Sequence, residues 1–342
     1  MKEHKIRAIV WGCGQMGQII IRYLQEKGVE LVGAIDRNAS RVGKDAGEIS
    51  TLKRFLGIPI YHPDKAEQVF QKANANVCII CTRSLLTEIY DSLEMAAQHG
   101  VNAITLGEEA FYPWTTSRDL SEKLDTLAKK HNCTITGSGY QDVFGGHLIT
   151  SVAAASHRID RIQILTRYNI AQYGSFALDL NGVGLSVDAF KQTIATSKEP
   201  FVNWYVNEWL CSRLGWSIRT QNQELLPTTN TEIIHVTSAG IDIPVGDVTG
   251  MEAVVTTETE EGPIIESHLM GKVYTHSDID IYECTLIGEP NTTLTIRQPG
   301  TPEITCASLV NRLPQLIDAP PGFQTTDKMP SPNYWTLPLH NS

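Results

Sequence analysis

An apolar, β-branched run at residues 6–11 passes directly into Gly12-Cys13-Gly14-Gln15-Met16-Gly17, after which Met16, Ile19, Ile20, Tyr23 and Leu24 recur at helical spacing. A glycine-rich turn between a strand and an amphipathic helix leaves a chain few folds to choose from. Gly12 permits the tight turn, Gly14 lets the backbone approach a ligand, and Gly17 lets helix and strand pack closely. The helix that starts here offers free N–H groups and the positive end of its dipole, which suits a pyrophosphate. Residues 29–35 read as the next strand, ending at Asp36, where a carboxylate can hold ribose hydroxyls. The expectation is a dinucleotide site contacted by Gly12, Gly14, Gln15, Met16, Gly17 and Asp36. Asp36 favours NAD, because a carboxylate repels the 2′-phosphate of NADP. Arg37 follows it and Arg41 is near, and either guanidinium could clamp that phosphate, so the cofactor is read as NAD(P).

The rhythm of the first part supports this. Strands at 58–61, 77–81, 101–106 and 133–136 alternate with helices at 64–73, 85–99 and 117–131. Such alternation, with continuous apolar strands, implies a parallel sheet covered on both faces. From about residue 140 strands predominate, at 161–168, 232–243, 250–259, 264–275, 279–287 and 292–296, with hairpin-length connections. Helices are expected at 144–155, 183–196, 201–214 and 302–317, before a tail bearing Pro320, Pro321, Pro330, Pro332 and Pro338. The fold class is α/β: an N-terminal Rossmann domain with a parallel sheet (1–140), a second α+β domain with a mainly antiparallel sheet for substrate and dimerisation (141–300), and a C-terminal helix with a Pro-rich tail (301–342).

Ligands of open α/β sheets bind outside the carboxyl ends of the strands, which ranks the remaining candidates. Thr82 and Ser84 follow one strand and either contact the cofactor or cap the next helix. Gly107, Glu108 and Glu109 follow another, in the otherwise mostly apolar run LGEEAFYPW. Burial there raises a Glu towards neutrality and suits a general base. Glu108 is the preferred catalytic carboxylate, and Glu109 reads equally as a first-turn acid favoured by the helix dipole. The crossover GSGYQDVFGG presents Tyr140, Gln141 and Asp142 to nicotinamide or substrate; in the second domain Arg161, Arg167, Tyr168 and Tyr173 are candidates for a substrate pocket, with core or surface roles as the alternative.

Composition narrows the class. With 42% hydrophobic and 19% charged residues the chain can bury a core, which excludes a disordered protein. A net charge of −10 without basic runs disfavours nucleic acid and anionic membranes as partners. The seven cysteines do not form a secreted disulfide framework, and the start MKEHKIRAIVWG has no signal-like apolar stretch, so a cytoplasmic protein is expected. Cys78 and Cys81 form a CxxC, but inside an apolar strand, where core packing is the better account. No metal spacing is found among the ten histidines, and GxSxG, Walker A and HExxH are absent.

The segments VWGCGQMG, GAIDR, ITLGEEAFYPW and GSGYQDVFGG, with RYNIAQYG, the CASLVN helix and APPG, resemble the 2,4-diaminopentanoate dehydrogenases and related native amine dehydrogenases over most of the chain. The resemblance implies a fold like that of dihydrodipicolinate reductase, a homodimer, and reversible NAD(P)-dependent oxidative deamination of an amine, 2,4-diaminopentanoate foremost, to a ketone and ammonia. It places the catalytic carboxylate on Glu108 and the aromatic pocket on Tyr140, Tyr168 and Tyr173. Gly145 departs from the bulky aromatic that often follows VF in that family, and the segment ITLG before Glu108 is also atypical. The chain lacks the HHxxK pattern of dihydrodipicolinate reductase and the EKP run of sugar dehydrogenases. Two alternatives remain at this level: an oxidoreductase of the same architecture acting on an alcohol or imine, and a non-catalytic NAD(P)-sensing protein.

Overall fold

The structure, a computed structural model, describes residues 5–237 and 239–336. These divide into two compact units: the residues up to Val143 together with those from Glu303, and Phe144–Pro302.

The first unit alternates strand and helix. It contains β1 (Arg7–Trp11), α1 (Gln15–Glu26), β2 (Glu30–Ile35), the short α2 (Ala46–Ile49), β3 (Ile60–Tyr61), α3 (Ala66–Ala73), β4 (Val77–Ile80), α4 (Leu86–Gln98), β5 (Asn102–Thr105), α5 (Arg118–Lys130) and β6 (Thr134–Gly137). All the strands run parallel, and a last strand, β15 (Gly322–Phe323), completes the sheet in the order β15-β6-β5-β4-β1-β2-β3. The chain adds strands outward from β1 on one side and from β4 on the other. The switch point therefore lies between these two, where open α/β sheets bind ligands. The four residues of β4 are buried on both faces, so their apolar run shows no alternation. The α1 residues Ile20, Ile21 and Leu24 are buried against the sheet, in one core with Leu309, Val310 and Leu313 of the long C-terminal helix α10 (Thr301–Asp318). From residue 303 onwards the C-terminal segment is thus part of the first unit, whereas the sequence reading set 301–342 apart. The Pro-rich tail runs back along α10: Gln315 Nε2 donates to the Ser331 carbonyl (2.8 Å) and the Trp335 indole to the Asn311 carbonyl (3.0 Å). Pro338 lies outside the described residues.

In the second unit, α6 (Leu148–Ala153) follows a π-helical segment, Gln141–His147, that begins at the end of the first. After β7 (Arg158–Asn169) come α7 (Ser175–Leu180), α8 (Val187–Gln192), α9 (Val202–Leu214), β8 (Ile218–Thr229), β9 (Ile234–Val236), β10 (Ile241–Ile243), β11 (Val248–Thr259), β12 (Ile264–Lys272), β13 (Ile281–Glu289) and β14 (Thr292–Arg297). Six of the strands form a sheet in the order β14-β13-β7-β12-β11-β8. Its neighbours pair antiparallel except β7 with β12, which run parallel. The strand β8 was not expected: its residues alternate polar and exposed on an edge, so no apolar run announces it. The strand expected at 232–243 is a two-stranded hairpin, β9 and β10; residue 238 within it lies outside the described residues. Helix α9 is buried on nearly all sides, and it is bonded to the sheet as well as packed on it. Asn203 Nδ2 donates to the carbonyls of Ala253 and Ser267 (2.9 Å each), and Asn207 Nδ2 to Thr257 Oγ1 (3.0 Å). Among the described residues no helix is long and apolar enough to cross a membrane.

Candidate active site

Gly12 follows β1 with φ +102°, a conformation that a side chain disfavours. A β-carbon there would lie 2.5 Å from the Cys81 carbonyl oxygen, at the end of β4. One on Gly17 would lie 1.9 Å from the carbonyl oxygen of Gly12, so helix α1 can start here only without that atom. Around Gly14 nothing lies within 4 Å of such an atom. The α1 N-terminus has no side-chain cap hydrogen bond and no acid in its first turn, so no carboxylate there opposes an anion at the positive end of its dipole. Gln15 and Met16 occupy that first turn. These features fit the pyrophosphate of a dinucleotide.

Asp36 is buried at the end of β2. Its Oδ2 accepts from the Cys13 N–H and its Oδ1 from the Asn38 N–H, both at 2.7 Å. Arg41 completes an ion pair with it at 3.2 Å, while Arg37 is exposed. Of the two guanidiniums that the sequence offers, Arg41 is therefore the one placed at this carboxylate. Thr82 is exposed and turns its methyl group towards Gly12.

The two adjacent glutamates part company. Glu109 is buried and its carboxylate is fully engaged. Oε2 accepts from the Leu86 N–H (2.6 Å), and Oε1 accepts from the hydroxyls of Thr116 and Ser117 (2.7 Å each). It thereby joins the N-terminus of α4 to that of α5, whose N-cap is Ser117. Glu108 is half-buried and turns elsewhere. Burial pushes its carboxyl up from the ordinary 4.5 to about 7, against the hydrogen bond from the Ser84 hydroxyl, which favours the charged form. Ser84 also accepts the Glu109 N–H on its carbonyl (3.1 Å). It does not cap α4, whose N-cap position is Leu85. The turn rests directly on β6: a β-carbon on Gly137 would lie 2.4 Å from the Ala110 carbonyl carbon and 2.5 Å from the Phe111 nitrogen.

Beyond β6, Tyr140 is half-buried and Gln141 buried. Asp142 is wholly buried and bonded to Arg312 of α10, so it is withdrawn from the ligand contact expected of it. In the second unit Tyr168 and Tyr173 meet edge to face at 5.4 Å, and the Tyr173 hydroxyl donates to Thr301 Oγ1 (2.7 Å). Tyr168 lies opposite Gly271 of β12, where a β-carbon would come within 2.8 Å of its hydroxyl. Arg161 is not brought to these tyrosines. Side chains alternate along a strand, so Arg161, Gln163, Leu165 and Arg167 share the face of β7 opposite to Ile162, Ile164, Thr166 and Tyr168. On that face Arg161 is bonded to Glu266 (2.7 Å). Cys13, Cys78 and Cys81 are free thiols raised by burial, Cys13 to about 12. That is the state of core cysteines and not of a redox pair.

Three groups escaped the sequence reading. Ser84 and Glu108 were both noted, but not the hydrogen bond that joins them. Thr116 and Ser117 carry the residue types of a helix start, with nothing local to name the carboxylate they would bind. Arg312 is a charge on the apolar face of the CASLVN helix, a signal that some buried acid had to answer it.

Residues 6–111 match the family model for the N-terminus of dihydrodipicolinate reductase, and residues 145–340 that for the C-terminal domain of 2,4-diaminopentanoate dehydrogenase. The chain is 36% identical to an amine dehydrogenase from Mycobacterium smegmatis, whose structure it matches with a TM-score of 0.91 over 97% of this chain and 98% of that one. It is 23% identical over 345 residues to the 2,4-diaminopentanoate dehydrogenase of Acetoanaerobium sticklandii, covering 96% of this chain and 94% of the relative. A myo-inositol 2-dehydrogenase from Lactobacillus plantarum, 14% identical with a TM-score of 0.58 over 92% and 89% of the two chains, shares the fold alone.

Proposed function

The chain belongs to the family of the 2,4-diaminopentanoate dehydrogenases, and from that premise we propose that Glu108 is the general base of an NAD(P)-dependent oxidative deamination whose substrate is 2,4-diaminopentanoate. The observation that carries this is the contrast between neighbours. Glu109 is consumed by three donors, whereas Glu108 lies half-buried after a strand end with its carboxyl raised by burial to about 7.

An alkylammonium cannot release hydride, because its nitrogen has no lone pair to stabilise the positive charge left on carbon. Glu108, as a carboxylate, attracts the ammonium and takes one proton from it. The nitrogen lone pair then forms the C=N bond as hydride leaves the carbon with both electrons of the C–H bond. The nicotinamide, when bound, supplies the hydride acceptor. After releasing its proton, Glu108 takes one from the water that adds to the iminium carbon. Returned to nitrogen, that proton makes it a leaving group: ammonia departs with the C–N electrons while Glu108, again a carboxylate, takes the hydroxyl proton and the ketone forms. A carboxyl near 7 exchanges protons in both directions at neutral pH. The Ser84 hydroxyl orients it. Gly12, Gly14 and Gly17, the first turn of α1 and Asp36 would hold the dinucleotide, with Arg41 beside the ribose. Tyr140, Tyr168 and Tyr173 are the substrate-side aromatics.

The protein acts in the cytoplasm as a homodimer. The face of the six-stranded sheet away from α9 supports self-association: Leu165, Val254, Met270 and Ile281 sit half-buried there among its charged residues, where a face turned only to water would be polar. The test of the activity is NAD(P)H oxidation with a panel of ketones, 2-amino-4-oxopentanoate among them, with and without ammonium. Turnover that ignores ammonium would refute the amine chemistry, and preference for another ketone would refute the substrate.

A further inference from the structure

Arg312 and Asp142 are each 0% exposed. They meet as a fork: Nε donates to Oδ2 at 2.9 Å and Nη2 to Oδ1 at 2.8 Å. The remaining nitrogen, Nη1, donates to Gln315 Oε1 (2.9 Å) and to the Pro330 carbonyl (2.5 Å) of the tail. Asp142 Oδ2 also accepts the Ser138 hydroxyl at 2.7 Å. A buried pair of this kind adds little net stability over apolar residues of the same volume, because both charges lose their water. What it adds is direction, since a guanidinium fork accepts a carboxylate in few orientations.

That direction is passed on through short links. Ser138 continues the β5–β6 pairing by donating its N–H to the Thr105 carbonyl (3.0 Å), two residues before Gly107 and three before Glu108. Gly137, one residue back, bears on the backbone of Ala110 and Phe111, the turn that Glu108 opens. The end of β6 is therefore held from behind by Asp142 and supports the Glu108 turn in front.

We propose that Arg312 is a positioning residue for Glu108, acting through Asp142 and Ser138 on the end of β6. This rests on reading Glu108 as the base, but the position of its carboxyl can be measured apart from that role.

Three variants of the full chain separate the possibilities. Arg312→Lys keeps the charge and loses the fork; Asp142→Asn with Arg312→Gln removes both charges and keeps hydrogen-bonding groups; Ser138→Ala cuts the link to the strand and leaves the pair intact. Ser138→Ala buries no unpaired charge, so it carries the test where a charge variant does not fold. The first readout is the titration of Glu108 itself, by carboxyl-carbon NMR of glutamate-labelled protein, assigned by the signal lost in Glu108→Gln. The second is kcat and KM for amine oxidation, well below each unfolding midpoint. Loosening the turn admits water to the carboxyl, so its midpoint should fall from about 7 towards 4.5. Misplacing the base should cost kcat roughly 10–100-fold, since a 1 Å error can cost about 10². Cofactor affinity, set by the glycine turn and Asp36, should change less than about threefold. Folded variants with the wild-type Glu108 midpoint and kcat would overturn the proposal, whatever their loss of stability. A shifted midpoint in protein whose Glu108→Gln variant still deaminates amines would keep the positioning role and remove the base.

Discussion

Replacing Glu108 by Gln keeps its size and removes both its basicity and its charge, so it should change rate and stability in ways that check each other. For the rate, losing a positioned base costs about 10²–10⁴-fold. Deamination should fall by at least that range at pH 8, and the rise of kcat/KM with pH, centred near 7 in the wild type, should vanish. For stability, the folded carboxyl holds its proton to about 7, whereas an unfolded one sheds it near 4.5. Between these values the native state binds the extra proton, so wild-type stability falls as pH rises through this window and the loss is complete above about 7. At full burial the difference corresponds to about 3 kcal/mol. Because the side chain is half-buried, solvent screening reduces this to ~1–2 kcal/mol. The variant has no such charge to bury. Its thermal midpoint, measured without cofactor, should match the wild type at pH 4.5 and exceed it by roughly 2–6 °C at pH 8. A midpoint difference that does not grow with pH would refute the desolvated carboxyl. Wild-type turnover by Glu108→Gln would refute the mechanism.

Glu109→Ala should behave in the opposite way: it strands the Leu86 N–H and two hydroxyls, lowers stability by about 1–3 kcal/mol in chemical denaturation, and spares most of kcat in the protein that folds. Gly137→Ala should cost ~1–3 kcal/mol by overpacking and lower kcat with it, because the displaced backbone belongs to the Glu108 turn; an active, stable variant would show that the close approach is unimportant. Asp36→Ala should shift preference towards NADP by roughly tenfold, about 1.4 kcal/mol, and Arg41→Ala should shift it back towards NAD, both read from kcat/KM with the two cofactors. If neither changes the ratio, Asp36 is not at the ribose. Sedimentation of Met270→Lys should show monomers where the wild type sediments as a dimer, and an unchanged dimer would move the interface off this sheet face.

The sequence by itself determined the parts governed by local chemistry. A strand, three glycines and an amphipathic helix can be read in order because each depends on its near neighbours. The strand end at Thr105 set two carboxylates at the mouth of the crevice for the same reason. Alternation even carries the division of β7 between two faces, yet a list of Arg and Tyr residues hides it until the strand is drawn. Tertiary structure decided what each charge faces. Nothing within LGEEAFYPW says that Glu109 will be taken by Thr116, Ser117 and the start of α4, leaving Glu108 free to titrate near 7. Asp142 looked like a ligand contact because it follows the strand end at Gly137, but its partner lies 170 positions along the chain, on a C-terminal helix that the sequence set apart from the Rossmann domain. A buried charge must find its counterpart by packing, and packing joins residues without regard to their distance in sequence.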